Sequence, residues 1–540
     1  MSTGFAESAW APLRVRAFRL LWLMQLGSMI GTWMQNVGAQ WLLVDEPGAA
    51  TLVALVQAAA MLPVLILAMP AGALADMVDR RRLLVGVQAF QVTVGAALVG
   101  LTLAGRLSPA ALLTITFLLG CGTTLTIPGY QAFVQDLVPR GQLRSVAGLN
   151  GVAMNLARAI GPPIAGVLVA QAGVVVVFAL NALSYAAFGA VLFGLRRPQA
   201  APNRLPERFG GALRAGARYV RHSPTVRRIV LRCLLFVVPG AALWALLPLV
   251  ASRLLGLGAG GYGLLLGALG VGAVSGAAVL PRIGAWLSPN RLVLVAGLVF
   301  AAATAVSVLV RNVAVVVVVL VFAGLAWLAV LASLNGILQM FLPVWVRARG
   351  LSIYQMAFAG GQAIGSIVWG VVAQLWGLPP ALLAAGVLLA AGAVSVLVLP
   401  LNDTSGLNRD PAVYWPQPHL EFDPALEDGP VLVTRTFTVT ADHVDRFLAA
   451  WTGVRRSRLR TGATSCALYR DGADTSRFVE VSLYPTWAEH LRQHEGRLTG
   501  ADRAVEEAAK EFTVGRPRVE HLFPADAAVV QLAGPQPDGP

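Results

Sequence analysis

Through its first four hundred residues the chain is a series of long apolar runs separated by short polar breaks. The runs lie near 18–43, 50–75, 83–105, 109–133, 146–170, 173–195, 227–252, 261–281, 291–310, 313–341, 351–376 and 379–400, and most breaks carry Arg, Pro, Asp or Gly. A helix needs roughly 20 apolar residues to cross a ~30 Å hydrocarbon core. The pattern therefore predicts twelve membrane-spanning helices. The first run is too long for the core of a cleavable leader, and no small-residue cleavage site follows it.

The pattern then changes. Pro411, Pro416, Pro418, Pro424 and Pro430 predict a stiff linker. Beyond it 431–439 alternates like a strand, 441–456 reads as a helix, 463–469 and 477–484 as strands, 485–510 as helical and 512–522 as a last strand. That β-α-β-β-α-β order predicts a ferredoxin-like α+β module. The expected plan is a six-helix half (1–195), a central loop (196–226), a second six-helix half (227–400), a linker (401–430), the α+β domain (431–523) and a disordered tail (524–540).

Charge orients the plan. Only 13% of residues are charged, about half the share of a soluble protein. Arg14, Arg16, Arg19, Arg80, Arg81, Arg82, Arg140 and Arg144 lie in the first segment and alternate loops. Arg196, Arg197 and seven further arginines up to Arg228 follow in and beside the central loop, then Arg282, Arg291, Arg347 and Arg349. The opposite loops hold Arg106, Arg253 and Arg311. This excess places both termini in the cytoplasm of an inner-membrane protein. The net charge of +14 thus reads as topology, and nucleic acid is not expected as a partner.

The halves look duplicated at an offset of 204 residues. Gly72 maps to Gly276, Pro139 to Pro343, Ala159-Ile160-Gly161 to Ala363-Ile364-Gly365, Gly166 to Gly370 and Gly173 to Gly377. Two duplicated bundles are the layout of transporters that alternate access about a central site.

Residues 72–84 read Gly-Ala-Leu-Ala-Asp-Met-Val-Asp-Arg-Arg-Arg-Leu-Leu. They resemble the loop signature of the major facilitator superfamily through Gly72, Asp76, Arg80 and Arg81, with Asp79 where the signature has its second glycine. Gly72 would allow close helix packing, and Asp136 is the expected partner of Arg80 in a gate. In the fifth span Gly161, Pro162 and Gly166 resemble the antiporter motif of superfamily exporters, and small residues there favour tight packing. Gly263, Gly267, Gly272 and Gly276 of the eighth span offer a matching face. Phe18-Arg19-Leu20-Leu21-Trp22, Gly31-Thr32-Trp33-Met34-Gln35 and Gln40-Trp41-Leu42 are similar to the enterobactin-exporter and macrolide-efflux group. The soluble tail strengthens the likeness to its transmembrane secretion effectors and resembles antibiotic-biosynthesis monooxygenase domains in fold. The resemblance implies proton-coupled export of siderophores, antibiotics or drugs, and a tail that pairs as a homodimer.

Polar side chains at bilayer depth are costly and mark candidate sites. Gln25, Thr32, Asn36 and Gln40 follow spacings of seven, four and four on the first span, lining a cavity or bonding to neighbouring helices. Asn155 and Arg158 share a face of the fifth span, where Arg158 points to anion recognition. Asn335, Gln339, Gln355 and Gln362 are further lining candidates, and Arg232 is expected to snorkel to the cytoplasm. No Asp or Glu lies deep in a span, so Asp45 is the candidate proton carrier. His490 and His494 stand four apart without a third ligand in view and read as solvent-exposed. No phosphate-binding Gly-rich loop and no metal or cofactor motif appears. Two other readings compete with export: uptake by the same fold, and an enzyme residing in the tail.

Overall fold

The computed structural model describes residues 9–195, 209–402 and 406–525, apart from 411, 413, 414, 416, 417 and 419. The expected disordered tail lies almost wholly outside the described residues. Six long helices open the chain: α1 (Arg16–Leu42), α2 (Ala49–Met77), α3 (Arg80–Leu103), α4 (Pro109–Leu137), α5 (Leu143–Ala172) and α6 (Val174–Gly194). A short helix, α7 (Phe209–His222), lies within the expected central loop. Six more long helices follow: α8 (Pro224–Leu249), extended by a π turn through Leu254, α9 (Ala259–Trp286), α10 (Pro289–Leu309), α11 (Val313–Phe341), α12 (Val344–Trp376) and α13 (Leu378–Val394).

Eleven of these are long and apolar enough to cross a membrane by length and composition. The helix outside that set is α1, whose 27 residues span about 40 Å at ~1.5 Å per residue. Its glutamines lower its hydropathy, yet it packs between α5 and α6 within the bundle. Twelve helices thus form a mostly helical membrane protein in two halves.

Helix starts follow local chemistry. Asp79 accepts from the Arg82 N–H at the start of α3, and Ser108 and Ser288 cap α4 and α10 in the same way. Gly173 (φ +80°) and Gly377 (φ +92°) open α6 and α13 at equivalent places in the repeat. Both need a backbone that side-chain-bearing residues avoid.

The chain clusters into two compact units. The first holds the bulk of both six-helix halves. The second combines residues 207–229, the α11–α12 connection (337–353) and everything from 402 onward. Within it β1 (Val431–Thr438), α14 (Val444–Thr461), β2 (Ser465–Arg470), β3 (Arg477–Tyr484), α15 (Trp487–Arg492), α16 (Gly500–Lys510) and β4 (Arg518–Leu522) form an antiparallel sheet in the order β2-β3-β1-β4. Register runs from Val431↔Tyr484 to Thr438↔Arg477. Phe437, Phe447, Trp451, Val454 and Phe478 fill the apolar part of the core between sheet and helices. The stretch expected to be one helix over 485–510 is broken: Leu498 is extended, and Thr499 with Asp502 starts α16 through a capping box.

The same unit ties down stretches expected to be linker and loop. Arg409 donates to the Phe341 carbonyl and lies over its ring, at 2.6 Å and 4.1 Å. Arg218 of α7 donates to the Gly462 carbonyl and to Glu489. Trp345 donates to the Arg497 carbonyl and receives that guanidinium on its ring.

Candidate functional site

Two seams join the halves, and the repeat builds both. On α5, Gly166 lies so close to α9 that an added Cβ would sit 2.7 Å from the Ala259 carbonyl oxygen and 2.9 Å from the Gly263 Cα. Its repeat mate Gly370 on α12 meets the start of α2, with Ala54 at 2.5 Å and the Ala50 carbonyl at 3.0 Å. Backbones approach this closely only where no side chain intervenes. The motif glycines divide between neighbours: Gly161 faces Trp33 and the Ile30 carbonyl of α1, while Pro162 offers its carbonyl to Gly263. Two expectations are corrected. Gly272 and Gly276 pack against Val321 and Leu325 of α11 rather than α5, and Gly270 takes their place against Ala159. Gly272 lies nine residues beyond Gly263, and at about 100° per residue that places it on the opposite side of α9.

Both seams lie toward the Arg-poor end of the bundle. There Tyr262 of α9 donates to Gln40 and stacks on Trp41 at 6.1 Å, and Arg253 donates to the Val44 carbonyl. At the Arg-rich end Gly72 has no atom within 4 Å of an added Cβ, against the expectation that it packs closely. The same is true of Gly148 and Gly151 on α5.

Between these ends sits Arg158. Its guanidinium lies over the Trp33 ring at 5.7 Å, its Nε has no hydrogen-bond partner, and among the described residues no carboxylate pairs with it. An unpaired arginine at mid-membrane costs about 2.5–3.5 kcal/mol by insertion scales. From Trp33 an aromatic chain leads to Trp244 (6.3 Å), then Trp327 (5.5 Å), and on to Phe236 and Phe358. Trp244 Nε1, Gln25 Oε1, Gln362 Oε1 and Ser366 Oγ are also buried without partners. The Arg158 cation, the aromatic faces and the spare Trp244 N–H and Ser366 hydroxyl suit an amphipathic anion, and the two glutamine oxygens can accept from its hydroxyl or amide groups. Sequence reading missed the aromatic chain because its members come from four helices, α1, α8, α11 and α12, far apart in the chain.

The α1 stripe does not stay on one side. Gln40 reaches the other half through Tyr262, whereas Thr32 bonds to the Ser28 carbonyl and to Tyr185 of α6. Helical geometry explains this, since 15 residues at about 100° each turn Gln40 some 60° away from Gln25. Asn36 is half-buried. Gln35, not singled out from sequence, bonds to Asn181 of α6. Asn155 donates back to the Gly151 carbonyl at 3.0 Å. Asn335 is half-buried, and Gln339 and Gln355 are exposed. Arg232 does not snorkel. Buried, it donates to Ser395 and to the carbonyls of Gly392, Ser395 and Leu399, satisfying the end of α13.

At the Arg-rich end Arg80 donates to both oxygens of Asp136, at 2.7 and 3.0 Å. Arg81 donates to the Leu192 and Phe193 carbonyls. Both arginines therefore bind the ends of helices in their own half. The Asp76 side chain lies outside the described residues. Asp45 is exposed on the turn after α1.

The α+β region carries its own polar interior. Glu480, fully buried, accepts from Arg435, Arg458 and Trp451 at 3.0 to 3.1 Å. Arg458 also reaches Glu506, and Trp415 lies against both arginines. Burial alone would raise the Glu480 carboxyl, but Arg458 and Arg435 hold it down at about 2. His490 and His494 are buried, not exposed as expected, because α15 and the turn after it face the sheet. His490 Nε2 lies 3.0 Å from His521 and 3.3 Å from His494. Burial, then the neighbouring His494, keeps His490 far below the ordinary histidine value. Among the described residues no group of three side chains is arranged to hold a metal ion.

The chain is similar to known transporters. It is 24% identical over 357 residues to the staphyloferrin A transporter of Staphylococcus aureus, covering 65% of this chain and 87% of that one. It is 22% identical over 151 residues to macrolide efflux protein A of Streptococcus pyogenes, covering 28% and 37%. Among solved structures, the nucleoside transporter NupG superposes with a TM-score of 0.60 at 11% identity, covering 71% of this chain and 99% of that one. A bacterial homologue of the lysosomal transporter Spinster gives 0.58 at 14% identity, covering 72% and 97%. Those likenesses show the fold. The profile of the transmembrane secretion effectors matches residues 7–528, tail included, so this chain belongs to that family of major facilitator transporters.

Proposed function

We propose that the protein is a secondary active exporter of small amphipathic anions, of siderophore, antibiotic or drug character, working by alternating access. The observation that carries the reading is Arg158, a cation with no carboxylate partner among the described residues, set against Trp33 where α5 meets α1 and α9. A substrate carboxylate would supply the missing charge, and the aromatic chain would hold its apolar body. The relatives add support: one is named as a staphyloferrin A transporter and the other as a macrolide efflux protein.

In this reading the Arg-rich end and both termini face the cytoplasm of the inner membrane. The close seams at the opposite end then correspond to an inward-open state. Outward release separates Gly166 from Gly263 and Gly370 from Ala54, breaks the Gln40–Tyr262 bond, and brings the Arg-rich ends together, with Gly72, Asp76, Arg80, Arg81 and Asp136 as the gate. Protons are the proposed coupling ion, and Asp45 at the outer mouth is the proposed acceptor. The tail is proposed to be a ferredoxin-like binding or homodimerising domain, not an enzyme. Its sheet order β2-β3-β1-β4 supports the fold.

Uptake of candidate siderophores and drugs into inverted vesicles under an imposed proton gradient tests the proposal. Arg158→Gln should weaken accumulation of anionic substrates far more than that of neutral ones. Equal losses for both would discard the anion reading, and accumulation indifferent to the gradient would discard proton coupling.

A further inference from the structure

The α+β unit holds a second place with the chemistry of a ligand site. Two hollows of about 440 and 410 Å³ run along β2 beside α14, and the larger also reaches α7. They share Arg455, Cys466 and Ala467. Leu459 and Val481 add apolar surface to the larger one, and the Tyr469 ring, 60% exposed, stands at its rim. Volumes of roughly 300–1,000 Å³ suit a small organic molecule. The strand is at the edge of the sheet, so its outward N–H groups are free of a neighbouring strand.

The charge here is one-sided. Arg221 and His222 come from α7, and Arg455 and Arg456 from α14. Five arginines elsewhere in the unit meet carboxylates: Arg218 and Arg497 meet Glu489, Arg435 and Arg458 meet Glu480, and Arg460 meets Asp502. Among the described residues Arg221, Arg455 and Arg456 have no such partner. Arg455 donates its Nε to the Cys466 carbonyl at 2.9 Å, and no carboxylate lines either hollow. His222 reports the same field: burial first, then Arg221, Arg455, Arg218 and Arg227, lower its imidazole below the ordinary value. An uncompensated cluster of guanidinium groups beside an apolar floor is a receptor for an anion with an apolar body.

We propose that this groove binds a small amphipathic anion, a carboxylate or phosphate carried on an apolar group, independently of the site at Arg158. The group comes either from a free metabolite or from a lipid headgroup. In both cases Arg221 and Arg455 take the anion while Leu459, Val481 and Tyr469 cover the apolar part.

The test uses the full chain in nanodiscs of zwitterionic lipid, in an Arg158→Gln background so that the transport site does not contribute. The probes are 2-naphthoate and its neutral isostere 2-naphthamide, followed by calorimetry. One site for naphthoate is expected, with naphthamide at least tenfold weaker. Arg221→Gln, on an exposed last turn of α7, should weaken naphthoate severalfold, and Arg221→Gln with Arg455→Gln at least tenfold. Discs containing phosphatidylglycerol assign the source: competition with naphthoate identifies a headgroup site, and unchanged affinity identifies a free anion. Naphthamide binding as tightly as naphthoate, no naphthoate binding, or the double variant binding like its parent would overturn the proposal.

Discussion

Arg158, half-buried, and Arg458, fully buried, are both set against tryptophan, and they differ in their partners. Arg458 is 1% exposed and meets Glu480, Glu506 and Trp415. Among the described residues Arg158 meets only Trp33 by its charged group and leaves Nε unpaired. A fully paired buried charge is part of the fold, because removing either member strands the other in a low-dielectric interior. An unpaired one is held in place by its surroundings and awaits a counter-charge. The contrast separates scaffold from site without reference to sequence position. Arg232 falls between them, paired with carbonyls at the end of α13 instead of with a carboxylate.

If the contrast holds, Arg458→Gln or Glu480→Gln gives the largest loss, about 3–5 kcal/mol of stability in the α+β region. Limited proteolysis of the full chain should then release the tail while the bundle stays intact. Acid should act on the same group. The Glu480 carboxyl lies below its ordinary 4.5, at about 2. Its stabilisation is therefore complete above that ordinary value and is lost as pH falls toward about 2. Tail stability measured across that interval should fall in the parent protein and change less in Glu480→Gln.

Arg158→Gln should act the other way round. Stability should be unchanged or improved, since an unpaired charge leaves the membrane, while anionic substrates should bind about ten- to a hundredfold more weakly. That factor follows from about 1.5–3 kcal/mol for a charge-assisted contact. A melting temperature that falls as far as in Arg458→Gln would erase the distinction. The smallest effect belongs to Arg80→Gln. That pair is 38% and 30% exposed, and such pairs contribute only about 0.2–1 kcal/mol. A thermal scan should barely move, whereas the transport rate should drop if the pair belongs to a gate.

The spans, the repeat and the small-residue motif on α5 were legible because they depend on quantities local to the chain. The length of an apolar run decides whether a helix can cross a membrane, and a duplicated segment repeats its packing glycines, as Gly166 and Gly370 do. The polar residues were legible as residues but not by role. Period alone places Gln25, Thr32, Asn36 and Gln40 near one face. Only the neighbours decide that Thr32 meets Tyr185 in its own half and Gln40 meets Tyr262 in the other.

What the sequence by itself determined is therefore a twelve-helix duplicated bundle with a small α+β tail. Apolar length, Arg placement and strand alternation are one-dimensional signals tied directly to the cost of burying polar groups in lipid or in a core. The tertiary structure alone decided which charges are neutralised. His521 joins the buried His490 from 31 residues away, Ser395 and its neighbours receive Arg232, and among the described residues no carboxylate reaches Arg158. The reason is physical: a charge is satisfied by whatever packs against it, and those partners come from distant helices and strands whose adjacency exists only once the chain has folded.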